Sequence, residues 1–259
     1  MTWTTRPRSR TGRTAYIRAG SGPRLVLIHG VGLRAEAWAG QLPDLAGSFE
    51  VLAPDLAGHG ESDGFAEEPT LQAFSDRLAG LLNRDTVLVG HSMGAMIALD
   101  LAFRNPDAVR GVVALNAIYR RTTAAGEAVR QRAGQLDGVH GPDPEPTLAR
   151  WFGDRASPER NACAGWLRSV DPESYRHAYR VFASEDGPSD AGLRSLNCPA
   201  LFMTGREEPN STPAMSEAMA ALAADGRCRV LAGAAHMMPM THAAEVTAAI
   251  QAFATESLT

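Results

Sequence analysis

The chain has 259 residues, 44% apolar and 21% charged, with a formal net charge of -4 at neutral pH. That length suits one α/β domain carrying an insertion; no apolar run reaches bilayer length, and the charge leaves no footprint for nucleic acid, so neither a membrane nor a nucleic acid is expected as partner. Cys163, Cys198 and Cys228 are too scattered for a disulfide framework or a cysteine zinc site, and all 25 basic residues are arginine, which removes Schiff-base, pyridoxal and P-loop lysine chemistry.

Arg6, Arg8, Arg10 and Arg13 read as a solvated start with no secretory apolar segment behind them, so the expected location is cytoplasmic. Residues 14–20 ("TAYIRAG") and 25–30 ("LVLIHG") then predict two adjacent strands around a turn at Ser21, Gly22 and Pro23. "AEAWAGQLPDLAG" has helical spacing, 49–55 ("FEVLAPD") reads as a strand, 70–82 as a helix, 86–90 ("TVLVG") as a strand, and "MGAMIALDLAFRN" as a helix stopped by Pro106. After the buried strand "VRGVVALNA" the alternation lapses into an arginine-rich, helix-like stretch. It returns with a strand at 199–205, a helix opened by Thr212 and Pro213, a strand at 227–233 and a closing helix. The expected fold is α/β: a mostly parallel, doubly wound sheet flanked by helices, built from residues 1–116 and 197–259, with 117–196 inserted as a helical cap. In such sheets ligands sit beyond the carboxyl ends of the strands.

"VLVGHSMGAM" (87–96) sets Ser92 between Gly90 and Gly94 at a strand-to-helix junction, the context in which G-x-S-x-G forms a sharp elbow and lifts a nucleophilic hydroxyl clear. A serine needs a base, and of seven histidines only His236 leaves the end of the last strand; His242, at the start of the final helix, is second. His29 and His59 sit in glycine turns and are expected to make structural hydrogen bonds, and His91 to point away from the site. The orienting acid is expected after the strand at 199–205, where Glu208 is preferred over its neighbour Glu207; the strand ending in "VALNA" carries Asn116 where another acid might have stood. The amides of Val31 and Met93 are the expected oxyanion donors.

"LVLIHGVG", "PDLAGHGESD", "GHSMGA", "FMTGREEPN" and "GAAHMMP", in this order, resemble the successive signatures of the α/β-hydrolase superfamily. The resemblance implies that fold, a triad needing no cofactor or metal, and an acid three residues after Gly205, which is Glu208 where aspartate is usual. "LARWFGD" and "SVDPESYRHAY" are similar to caps of the 3-oxoadipate enol-lactone hydrolase branch. Tyr119, Trp151, Trp166 and Met237 are candidate pocket residues, with Phe152, Tyr175, Tyr179 and Phe182 also in the cap; Arg120, Arg121 and Arg150 are candidates to meet a substrate carboxylate, against the alternative that most arginines of a lysine-free chain are solvated surface, and Met93, Met96, Met203, Met237, Met238 and Met240 are expected to surround the site. The expected activity is hydrolysis of a small carboxylic ester or lactone through an acyl-enzyme. The same triad also serves carbon–carbon or amide hydrolysis and cofactor-free peroxidation, and the same scaffold serves ligand receptors. The expected partner is a small-molecule substrate.

Overall fold

A computed structural model describes residues 3–259. Eight strands make one sheet: β1 (Ser9–Thr11), β2 (Thr14–Ala19), β3 (Arg24–Ile28), β4 (Glu50–Pro54), β5 (Thr86–His91), β6 (Val109–Leu115), β7 (Ala200–Gly205) and β8 (Gly226–Leu231). Their spatial order is β1-β2-β4-β3-β5-β6-β7-β8, antiparallel for the two pairings of β2 and parallel from β4 onward. β2 and β3 follow each other in sequence but are not neighbours, because β4 lies between them. The parallel strands β3, β5 and β6 are buried along nearly all their length and rich in Val and Leu because both their faces are covered.

One face packs on α2 (Leu71–Ala79), α3 (Met93–Arg104) and α9 (Pro213–Leu222), through Phe74, Leu78, Ile97 and Met219. The other packs on α1 (Leu42–Leu45) and α11 (Ala243–Ser257), through Leu42, Val246, Ile250 and Phe253. The helix expected over "AEAWAGQLPDLAG" is two short pieces, a 3₁₀ turn at Ala35–Trp38 and α1, separated by a turn at 39–41 that contains Gly40, with Pro43 in the first turn of α1. β1 and the short α10 (Met238–Thr241) escape the sequence patterns. Between β6 and β7 the chain makes five helices: α4 (Thr123–Gly134), α5 (Glu145–Phe152), α6 (Pro158–Ser169), α7 (Pro172–Ser184) and α8 (Asp190–Arg194). Thr122, Ser157, Asp171 and Ser189 cap four of them by accepting an amide of the first turn. Among the described residues no helix is long and apolar enough to cross a membrane.

The register brings the strand ends level. Ile28 is opposite Gly90, His91 opposite Leu115, Leu115 opposite Met203, and Gly205 opposite Leu231, so the residues that follow β3, β5, β6, β7 and β8 emerge along one rim.

One expectation about the N-terminus fails. Arg8 is not solvated: its guanidinium is buried, donating to Glu36 at 2.7 and 2.9 Å and to Asp55 at 2.8 and 3.2 Å. Asp55 also accepts the amides of Ala35 (2.8 Å) and Glu61 (3.0 Å), so the cluster ties the N-terminus to the loops after β3 and β4. Burial alone would raise the pKa of Glu36, but hydrogen bonds and charge from Arg8, with help from the Arg6 amide, bring it down to about 2. Replacing Arg8 by Met leaves the buried Asp55 carboxylate without its cation and Glu36 with Arg34 alone, and should cost about 3–5 kcal/mol in urea unfolding; a loss below about 1 kcal/mol would show that the cluster is not holding the N-terminus in place.

Candidate active site

Ser92 follows β5 with φ 57° and ψ -119°, a conformation that costs a non-glycine residue about 1–3 kcal/mol. The elbow is held because its backbone amide donates to Leu115 of β6 at 2.9 Å and because the chain passes extremely close on both sides. A Cβ on Gly94 would lie 2.2 Å from the carbonyl of Ile28, and one on Gly90 would lie 2.1 Å from the carbonyl of Gly94. Both glycines are therefore demanded by close approach of α3 to its neighbouring strands.

Glu208 and His236 reach the same rim from β7 and β8. The two loops are laced together by the amides of Arg206 and Glu207, which donate to Leu231 (2.8 Å) and Ala234 (2.9 Å). His236 Nδ1–H donates to Glu208 Oε2 at 2.7 Å, and the carboxylate is almost fully buried. Asn116 Nδ2 donates to the same oxygen at 3.2 Å, while Oε1 accepts the amides of Asn210 (2.8 Å) and Ser211 (3.3 Å). The longer glutamate side chain is thus accommodated by folding back onto its own loop. Burial raises the Glu208 pKa, but the charge and hydrogen bond of His236, with the two amides, overcome this and bring it down to about 2. Glu207, by contrast, is exposed, and His242 is bonded to Thr241 away from the cavity.

Ser92 and His236 line one cavity of about 260 Å³ between the strand ends and the cap. No hydrogen bond joins Ser92 Oγ to His236 among the described residues; such contacts are often loose before a ligand binds. The indole of Trp151, from α5, stacks on the His236 ring at 5.7 Å and 19°. The amides of Val31 and Met93 donate to no group among the described residues, and Val31 lines the cavity.

His91 corrects the expectation that it points away: it lines the cavity, and its Nε2–H donates to the backbone carbonyl of His236 at 2.8 Å. Asn116 was visible in the sequence only as a missing acid; here, with φ 51°, it is a donor to Glu208. His29 and His59 accept the amides of Leu56 and Gly32, both at 3.0 Å, the structural bonds expected of them.

Of the four candidate pocket residues only Trp151 lines the cavity. Trp166 is buried edge-on against Trp3, Tyr119 donates to Asp190 at 2.6 Å, and Met237 is in the core, because α6 and the backbone around Tyr119 and Met237 present these side chains elsewhere. None of the methionines expected around the site, Met93, Met96, Met203, Met237, Met238 and Met240, lines the cavity, and all six are buried; Met215, which was not among them, does line it. The cavity face of the cap is three helical stripes: Thr122, Ala125, Val129 and Arg132 at α4; Thr147, Arg150 and Trp151 at α5; Tyr175, Tyr179 and Phe182 at α7. Their steps of three and four residues were present in the sequence as a signal.

Residues 25–250 match the model of the alpha/beta hydrolase family, and the chain belongs to that family and is a hydrolase. The (E)-2-((N-methylformamido)methylene)succinate hydrolase of Acinetobacter baylyi is 40% identical over 250 residues, covering 93% of this chain and 94% of that one. A thermophilic esterase of Thermogutta terrifontis, solved with malate bound, superposes with a TM-score of 0.84 at 29% identity, covering 95% of this chain and 94% of that one. An enol-lactonase of Burkholderia xenovorans LB400 shares the fold, with a TM-score of 0.83 at 24% identity over 96% of this chain and all of that one.

The buried imidazoles make stability pH-dependent. Burial, reinforced by the neighbouring His59 and His236 rings respectively, lowers His29 and His91 to about 3, and burial lowers His59 too. The unfolded chain takes up these protons near 6.5 and the folded chain does not, so stability is full above that pH and falls as pH drops toward 3. Glu208 adds loss in the same direction, beginning below its ordinary 4.5. The thermal unfolding midpoint should therefore decline steadily from about pH 7 to about pH 4; a flat or rising midpoint contradicts the buried neutral assignment.

Proposed function

We propose that this hydrolase works through Ser92, His236 and Glu208 on the acyl carbonyl of a small substrate. The observation that carries the reading is the 2.7 Å bond from His236 to a buried, multiply bonded carboxylate, on the rim of a cavity that also holds the strained Ser92 elbow. In this reading His236 takes the proton of Ser92 Oγ as it attacks the carbonyl carbon, and the amides of Val31 and Met93 receive the oxyanion. Glu208 holds the imidazolium in orientation. The protonated imidazole then passes its proton to the leaving group, and water deprotonated by His236 releases the acyl group and restores the serine.

A carboxylic ester or lactone is the first reading of the bond broken, supported by the likeness to an esterase at 29% identity over nearly the whole chain. An amide of the acylaminomethylene-succinate type is the second, and the 40% identity to a hydrolase acting on (E)-2-((N-methylformamido)methylene)succinate favours it. The cavity of about 260 Å³ suits compounds of either kind, lying just under the usual range for drug-sized ligands of about 300–1,000 Å³.

Turnover of p-nitrophenyl acetate, an enol lactone and (E)-2-((N-methylformamido)methylene)succinate tests both readings. Ser92→Ala should lower kcat by about 10⁴-fold or more on whichever is the substrate, without a change in unfolding midpoint, and Glu208→Gln should lower it far more than Glu207→Gln. A Ser92→Ala protein that keeps a tenth or more of the activity would overturn the assignment.

A further inference from the structure

Among the described residues three guanidinium groups and no carboxylate line the cavity over Ser92. They belong to Arg121, just before α4, Arg132, near its end, and Arg150 in α5, all half-buried. Most of the chain's other arginines pair with an acid, Arg120 with Asp190 among them, but these three pair with none among the described residues. Each is instead held by neutral groups. Arg121 stacks over Phe182 at 4.5 Å and donates to the carbonyls of Phe182 and Glu185; Arg132 Nε donates to Tyr179 at 3.1 Å; Arg150 donates to Thr147 at 2.8 Å. The nearby acids are otherwise engaged: Asp186 accepts the Arg121 amide and Asp137 binds His140.

The arrangement fixes three cations in place with no ion pair among the described residues; Asp186, bonded to the Arg121 amide, is the counter-charge nearest Arg121 and makes no salt bridge with its guanidinium. Partial burial of a cation is costly without a counter-charge, and a guanidinium fork offers paired donors matched to a carboxylate. Burial lowers Arg121 to about 10, which still leaves it charged at neutral pH. The walls between the forks, Val129, Trp151, Tyr175 and Phe182, are apolar or aromatic and fit a short carbon skeleton.

We propose that Arg121, Arg132 and Arg150 form a carboxylate-recognition wall that selects a small dicarboxylate substrate and presents its acyl bond to Ser92. The proposal rests on the hydrolase reading above only for the last step. Carboxylate binding itself does not require turnover.

The test therefore reads binding and catalysis separately. Succinate is titrated calorimetrically into the wild-type and Ser92→Ala proteins, with dimethyl succinate and inorganic phosphate as comparisons. Succinate should bind both proteins, at least about tenfold more tightly than dimethyl succinate or phosphate. Arg132→Gln and Arg150→Gln, checked for an unchanged unfolding midpoint, should each weaken succinate about tenfold or more, with partial recovery in Arg150→Lys; Arg120→Gln, outside the cavity, should leave it unchanged. If the wild type hydrolyses monomethyl and dimethyl succinate, its preference for the monoanion should fall in the same arginine variants, through KM more than kcat. Equal binding of succinate and its dimethyl ester, phosphate binding as tightly as succinate, or succinate affinity indifferent to loss of Arg132 and Arg150 would each overturn the proposal. Succinate binding that survives while Ser92→Ala retains turnover would overturn the serine reading and leave the arginine wall standing.

Discussion

The hydrogen bond between His236 Nδ1 and Glu208 is the constraint on which the rest of the site depends. A buried carboxylate is tolerated only when its oxygens are satisfied, and this one accepts from an imidazole, a side-chain amide and two backbone amides. With the Nδ1 proton committed to Glu208, Nε2 is the nitrogen left to accept a proton, which is the tautomer a general base needs. The ring is confined from other directions as well. His91 holds the backbone carbonyl of residue 236 from below the elbow, and Trp151 lies against the ring face from the cap. Ring orientation is thus fixed by groups from β5, β6, β7 and α5 together.

That convergence is a property of the sheet. Parallel register sets the ends of β5 to β8 level, so that single residues past each strand, Ser92, Asn116, Glu208 and His236, share one rim although they span more than half of the sequence. The elbow glycines let α3 press close enough to keep Ser92 in its strained turn, and the Arg8 cluster braces the loops after β3 and β4, next to Val31. The cap contributes the remaining walls and the positive charge. Core and cap therefore divide the work in the proposed reaction: the strand ends supply the attacking group and its base, and the helices supply the shape and charge that a substrate must match.

The strand-end residues were legible in the sequence because alternating apolar runs and glycine turns mark where each parallel strand stops, which placed Ser92, Glu208 and His236 at a common edge. What was not legible depended on how elements turn toward each other. Arg8 looked like one of four solvated arginines because its two acids, Glu36 and Asp55, are distant in sequence. His91 was misread because its bond reaches across 145 positions to a backbone carbonyl. Trp166 and Tyr119 were attractive as aromatic cap residues, yet the facing of α6 buries Trp166 and the loop before α4 turns Tyr119 to Asp190, while the three-and-four stripe of α7 brings Tyr175, Tyr179 and Phe182 to the cavity. The insertion of β4 between β2 and β3 likewise has no local signature.

The most direct measurement of the central claim is a crystal structure of the protein after reaction with a small alkyl phosphonate, a stable mimic of the tetrahedral intermediate. Phosphorus should be bonded to Ser92 Oγ, with the phosphoryl oxygen about 3 Å from the amides of Val31 and Met93 and His236 still bonded to Glu208. An adduct on another residue, or one whose oxygen turns away from both amides, would contradict that claim.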